Sequence, residues 1–157
     1  MKKLLLTVLA LVLVGCQSQP TQFAIIGDNP YEVENYPRYD LMVQRINDSG
    51  ADWVIHLGDM KSGGGSCADE ELQRVFEINQ QFDIPFVLTP GDNDWFDCKR
   101  ESAGGFDRLE RLDKLREIFY SEPVALPIVS QSTSETYGDF VENVYWLKLF
   151  IGATTSA

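Results

Sequence analysis

The residues in this chain best suited to chemistry are aspartates that recur in one setting. Gly27-Asp28, Gly58-Asp59 and Gly91-Asp92 each follow a short apolar run, and the aspartates stand 31 and 33 residues apart. That interval suits one strand–helix–strand unit. In an open parallel sheet, ligands bind beyond the carboxyl ends of the strands, so the pattern predicts three carboxylates gathered along one edge. Ionised carboxylates packed together repel strongly in a low-dielectric site. Protonation or a bound cation relieves that repulsion, and oxygen-rich clusters suit divalent metals. Asn93 and Asp94 add further oxygen ligands or hydrogen-bond partners to the third loop. A lone Gly-Asp after a strand is an ordinary turn. Three of them at a regular interval, each closing an apolar run, argue for a shared site.

The elements that must position them alternate. Gln22 to Ile26, Trp53 to Leu57 and Pro85 to Thr89 read as strands, and the first suits burial on both faces. Tyr39 to Asp48 reads as a helix ended by Gly50, and Ala68 to Phe82 as a second, with Asp69, Glu70 and Glu71 at its positive end. A third helix is expected to bury Phe106, Leu109, Leu112, Leu115, Ile118 and Phe119 along one stripe. Gly63-Gly64-Gly65 reads as a flexible loop, Glu122 to Ser134 has no clear period, and Asn143 to Ile151 suits a fourth strand. The order predicts an α/β fold whose parallel sheet is joined by βαβ crossovers.

The series Asp28, Gly58-Asp59 and Gly91-Asp92-Asn93-Asp94 resembles the calcineurin-like metallophosphoesterases, whose pattern is D-x-H, then G-D-x-x-[DN], then G-N-H-[DE]. The resemblance runs from about Phe23 to Asp94. It implies the first half of that family's αββα sandwich, hydrolysis of a phosphate-ester substrate and two divalent ions of the Fe, Mn or Zn type. Residue by residue, it implies that Asp28 binds one metal, that Asp59 bridges both, and that Asp92 serves the second metal where the family has Asn. Asn93 stands at the family's catalytic His; its amide can hydrogen-bond a phosphoryl oxygen but cannot transfer a proton at neutral pH. Pro30 occupies the first His ligand position, Ser62 falls where the family often has Asp or Asn, and no His follows Asp94. These departures raise the expectation of a truncated or frameshifted member with weak turnover at most, the alternative being a non-catalytic envelope lipoprotein or inert fragment.

Other chemistries find less support. Without G-x-G-x-x-G, a Rossmann-like nucleotide site is the weaker reading, and the triple glycine lacks the Gly-Lys-Ser/Thr of a phosphate loop. Ser62 and Ser66 have no histidine base placed by a motif. His56, the only histidine, lies inside the second strand and is expected to be a hydrogen-bonded strand residue rather than a metal ligand. Trp95 could wall a substrate or pack over Cys98. With 13 Lys and Arg against 24 Asp and Glu, and a formal charge of −11, the chain has no basic cluster to hold a nucleic-acid backbone. Its 44% hydrophobic content excludes general disorder.

The amino terminus reads as an address. Lys2 and Lys3 precede the apolar run Leu4 to Val14, too short for the roughly 20 residues that cross a bilayer. Leu13-Val14-Gly15-Cys16 resembles a bacterial lipobox, which implies a signal peptide over 1–15, a lipidated Cys16, a tether over 16–21 and a domain over 22–157 that is incomplete at its end. The other reading is an ordinary signal peptide with a chance cysteine. Either way the protein is expected to be exported, and the lipid would hold it at the membrane of a bacterial cell envelope. Cys67 and Cys98 remain. An oxidising compartment favours a disulfide between them, the rivals being two free thiols or a cysteine pair on a metal.

Overall fold

The computed structural model describes residues 21–122, 128–130, 136 and 139–146. Cys16, the signal peptide and most of the tether lie outside the described residues. Three short strands, β1 (Phe23–Ile26), β2 (Trp53–His56) and β3 (Phe86–Leu88), lie side by side in the order β1-β2-β3. Both pairings are parallel, with Ala24 opposite Val54 and Val54 opposite Phe86. Helix α1 (Tyr36–Asn47) joins β1 to β2, and α2 (Asp69–Asn79) joins β2 to β3. After β3 come three 3₁₀ turns (Asp92–Asp94, Phe96–Lys99 and Glu101–Ala103) and then α3 (Arg108–Phe119). A separate antiparallel pair, β4 (Ile128–Ser130) with β5 (Val144–Trp146), places the expected fourth strand outside the parallel sheet. These elements belong to one unit, Thr21–Leu147. No helix among the described residues is long and apolar enough to cross a membrane.

The two faces of the sheet are covered differently, because side chains alternate along each strand. Val54 faces the helices and packs with Tyr39 and Val43 of α1, Ile78 of α2, and Phe82. Val75, Leu88 and Leu115 extend this layer under α3, together with Met60. On the opposite face, Trp53 and Val87 pack with Ile55 and Val144. Trp53 stacks on Phe23 at 5.8 Å and meets Trp146 edge-on at 5.4 Å. This corrects the expectation that β1 is buried on both faces. Phe23 and Ile25 are 42% and 58% exposed, since β1 is an edge strand and only its Ala24–Ile26 side meets the helices.

The helices show where apolar periodicity alone misleads. In α1 the buried positions are Tyr39 and Val43, while Leu41 is exposed. In α3, Leu109 is exposed and Arg111 is buried instead. The Arg111 guanidinium lies over the Phe106 ring, donates to the Cys67 carbonyl at 2.8 Å and pairs with Asp69 at 2.6 Å and with Glu110. A long cationic side chain can cover apolar surface while its head finds oxygen partners, so it displaces leucine from the stripe. Tyr120 continues the seam by donating its hydroxyl to the Leu88 carbonyl at 2.8 Å.

Cys67 and Cys98 form a disulfide, buried beside Ala103 and Phe106. It joins the connection after β2 to the turns after β3, the two segments that carry Asp59 and Asp92. Closing a loop of this length should stabilise by about 3 kcal/mol through the unfolded chain's lost entropy. The double variant Cys67→Ala/Cys98→Ala should therefore lose about 3 kcal/mol in urea unfolding. An unchanged midpoint would show that the covalent link adds nothing.

Candidate active site

Parallel register brings the three Gly-Asp loops to one end of the sheet. The loop after β1 crosses to the loop after β2: Asp28 N–H donates to the Gly58 carbonyl at 3.1 Å and Tyr31 N–H to the Met60 carbonyl at 3.1 Å. Asp28 and Asp59 both hold left-handed backbone, with φ of 56° and 55°. This conformation costs an L-residue roughly 1–2 kcal/mol, and aspartate tolerates it better than most. Two such residues at equivalent strand ends mark a constrained site. Gly58, at φ 85°, lies so close to the third loop that a Cβ there would sit 1.9 Å from Gly91 N. A Cβ on Gly91 would sit 2.1 Å from Asp59 Oδ1. The second and third loops therefore interlock through two glycines.

Asp94 ties this junction together. Its carboxylate is fully buried and accepts three backbone N–H groups at 2.9 Å, from Asp59, Met60 and Gly91. Burial pushes its pKa up to about 6, against the pull of those three donors. Asp94 is thus a structural clamp, and of the two roles its sequence position allowed, it takes that of hydrogen-bond partner.

Asp59 lies at the centre of the rim. Its Oδ1 accepts Asn93 N–H at 3.1 Å. Burial raises its pKa, the Asn93 N–H opposes this, and the negative charges of Asp92, Asp28 and Asp97 raise it further. Asp28 and Asp92 are more exposed, and Asp28 Oδ1 accepts the Tyr31 hydroxyl at 3.0 Å. Burial and then the Asp28 bond push the Tyr31 phenol up to about 12, so at neutral pH it is a donor that steadies Asp28. The side chain of Asn93 reaches toward Gly63. A Cβ at Gly63 would lie 2.6 Å from Arg100 Nη1, 2.7 Å from Asn93 Oδ1 and 2.8 Å from Asp97 Oδ2. Asp97 is buried and paired to the half-exposed Arg100 at 2.7 Å. The glycine stretch expected to be flexible is therefore seated against the third loop, with Gly65 N–H closing a turn on the Ser62 carbonyl at 2.9 Å.

Two nearby groups bear on the charge balance. Lys61 is 2% exposed, and its ammonium donates to the Ser62 and Gly65 carbonyls at 3.3 and 3.2 Å. Burial lowers its pKa, while the charges of Asp94, Glu71, Asp97 and Asp59 raise it. His56 faces the helix side of β2, fully buried, accepting Gly58 N–H on Nδ1 at 3.0 Å, so its Nε2–H donates to the Asn29 carbonyl at 2.9 Å. Both ring nitrogens are used by backbone, as expected of a strand residue. Burial also lowers its pKa, against the pull of the Asn29 bond and the Asp28 charge.

Of the residues singled out beforehand, Asp28, Asp59, Asp92 and Asn93 meet along one rim. Pro30 is buried behind it after a cis Asn29–Pro30 bond. Trp95 packs edge-on against Phe96 at 5.7 Å, in the turn that leads to Cys98. Lys61, Tyr31, Asp97 and Arg100 were not anticipated. A lysine directly after a strand ordinarily reads as solvated, and no local pattern marks the other three. The donor atoms of the rim, carboxylate and amide oxygens, suit a hard divalent ion, as does the mutual repulsion around Asp59. Among the described residues, however, no group of three or more His, Cys, Asp or Glu side chains is close enough to hold a metal ion.

A three-stranded parallel sheet with acidic loops beyond its carboxyl ends defines an α/β protein. The family of calcineurin-like phosphoesterases matches residues 21–152, and the chain belongs to it. The described elements correspond to the first half of that family's fold. No curated protein and no solved structure matches the chain.

Removing the Asp94 clamp tests the junction. Asp94→Ala strands three N–H groups, at about 1–3 kcal/mol for each buried group left unsatisfied, so urea unfolding should show a loss of at least about 3 kcal/mol. Asp94→Asn, which keeps one acceptor oxygen, should lose less. Equal stability of all three proteins would remove the clamp from the argument.

Proposed function

We propose that this protein hydrolyses a phosphate ester in a metal-dependent reaction, with Asp28, Asp59 and Asp92 holding one or two divalent ions. The carrying observation is the meeting of the three Gly-Asp loops at one end of the sheet, where the charges of Asp92, Asp28 and Asp97 bear on Asp59. A bound cation would relieve that repulsion directly. Divalent ions at this rim would supply Lewis acidity toward the phosphoryl oxygens and a more acidic water. The chain's own residues would do the rest. Tyr31 orients Asp28, the Asn93 backbone orients Asp59, and the Asn93 amide would hydrogen-bond a phosphoryl oxygen after turning from Gly63. Asn93 cannot protonate the leaving group, so that proton would come from water. Family membership supports the reaction class, and the oxygen-only donor set supports a hard metal.

A second reading, a non-catalytic binding module, draws on the open arrangement of the rim, where no three-ligand group is formed among the described residues. We also propose attachment to a bacterial envelope through a lipid on Cys16. The lipobox-like Leu13-Val14-Gly15-Cys16 supports this, as does the Cys67–Cys98 disulfide, which suits an oxidising compartment.

Hydrolysis of a chromogenic phosphomonoester and a diester, assayed with Mn²⁺, Fe²⁺ or Zn²⁺ and with chelator, separates the readings. Mn²⁺-stimulated turnover should fall at least about 100-fold in Asp59→Asn, in line with the several kcal/mol that a metal's Lewis acidity supplies. Activity that survives chelation would overturn the metal-dependent reading, and no activity with any of these ions would favour the non-catalytic module.

A further inference from the structure

A cationic side chain stands at the edge of the acidic rim. Arg100 lies between the turns Phe96–Lys99 and Glu101–Ala103. Its guanidinium pairs through Nη2 with Asp97 Oδ2 at 2.7 Å, where the Asp97 side chain is 6% exposed and that of Arg100 is 52% exposed. A buried carboxylate thus anchors one edge of the planar fork. Among the described residues no other hydrogen bond or ion pair holds the Arg100 side chain, so its remaining N–H donors are unused. The anchored guanidinium meets the rim across Gly63. A Cβ there would lie 2.6 Å from Arg100 Nη1 and 2.7 Å from Asn93 Oδ1, so both groups rest against the same glycine. Gly63 is not among the glycines with positive φ, so space, not backbone conformation, calls for glycine there. Asn93 in turn gives its N–H to Asp59 Oδ1 at 3.1 Å, and the Asp97 charge bears on Asp59. Two neighbours of Arg100 therefore connect it to the central carboxylate of the rim.

We propose that Arg100 is a substrate-binding residue that holds a terminal oxygen of the phosphoryl group, and that it directs the site to phosphate monoesters. The inference rests on the phosphoesterase reading and names its substrate class. A half-exposed ion pair adds little stability by itself; what Asp97 supplies is a fixed orientation for the fork. A monoester has a third terminal oxygen and more negative charge than a diester. A guanidinium matches such a group with parallel N–H donors and a permanent charge. A rim of aspartates by itself discourages a dianion, and a cation fixed at its edge offsets that. Arg100 stays protonated, so it binds the ester without supplying the leaving group's proton.

Hydrolysis of p-nitrophenyl phosphate and methyl p-nitrophenyl phosphate tests this. The two share a leaving group and differ by the methyl that caps one terminal oxygen. The ratio of their kcat/KM values, monoester over diester, should fall at least about tenfold in Arg100→Ala, through loss of a charge-assisted contact. Arg100→Gln serves the same purpose if the alanine variant does not fold. Arg100→Lys keeps the ion pair with Asp97 but has no fork to share between Asp97 and the ester, so it should recover only part of the ratio. An unchanged ratio in Arg100→Ala, a ratio fully kept by Arg100→Lys, or turnover of the diester alone overturns the assignment while the hydrolase reading stands. If neither ester is turned over with Mn²⁺, Fe²⁺ or Zn²⁺, the hydrolase reading fails. In that case, or if the monoester alone reacts, calorimetric titration with inorganic phosphate in the presence of Mn²⁺ decides for Arg100. Binding that weakens at least about tenfold in Arg100→Ala upholds the contact. No binding by the wild type, or equal binding by the variant, overturns it.

Discussion

The arrangement depends on one buried carboxylate. Asp94 receives the N–H groups of Asp59, Met60 and Gly91, and so joins two loops that the chain separates by more than thirty residues. A strand end by itself leaves the following backbone free to choose among several turns. A carboxylate with three fixed donors removes that choice at both loops together. Its burial is costly, as the raised pKa records, and the bonds it accepts offset that cost only while the second and third loops stay in register. The parallel sheet supplies that register, and α1 and α2 hold the sheet from one side.

Around this fixed point the charges are distributed unevenly. Asp59 is the carboxylate under most strain, central among Asp28, Asp92 and Asp97 and half-sheltered from water. Beneath it lies the buried ammonium of Lys61, held by two carbonyls rather than by a direct carboxylate partner. Low dielectric lets that charge act over several ångströms. The charges of Asp94, Glu71, Asp97 and Asp59 in turn favour its charged form against the cost of burial. The left-handed backbone at Asp28 and Asp59 is held by the backbone bonds that tie the first loop to the second and the second to Asp94.

Much of this was readable in advance, for definite reasons. Short apolar runs and 3.6-residue periods, together with glycine and proline punctuation, located the three strands and three helices. The repeated Gly-Asp dipeptides located the rim, because strand ends in a parallel sheet share one edge. The disulfide was the favoured reading of two remaining cysteines in a chain expected to be exported. What escaped notice depends on tertiary contact. Arg111 replaced Leu109 in the core because Phe106, Asp69 and the Cys67 carbonyl happen to converge there. Lys61 is buried because the glycine turn folds over it. Whether Asp94 served as ligand or clamp depended on three donors from two other segments, and no local pattern encodes them.

The glycine interlock limits how this rim could be altered. Gly58 faces the backbone of Gly91, and Gly91 faces the carboxylate of Asp59, with no room for a single methyl group at either position. Neither loop can lengthen, shorten or bulk up unless the other is recut to match. A change in either loop must therefore be matched in the other, so an engineer would have to recut the ends of the second and third strands as a single unit.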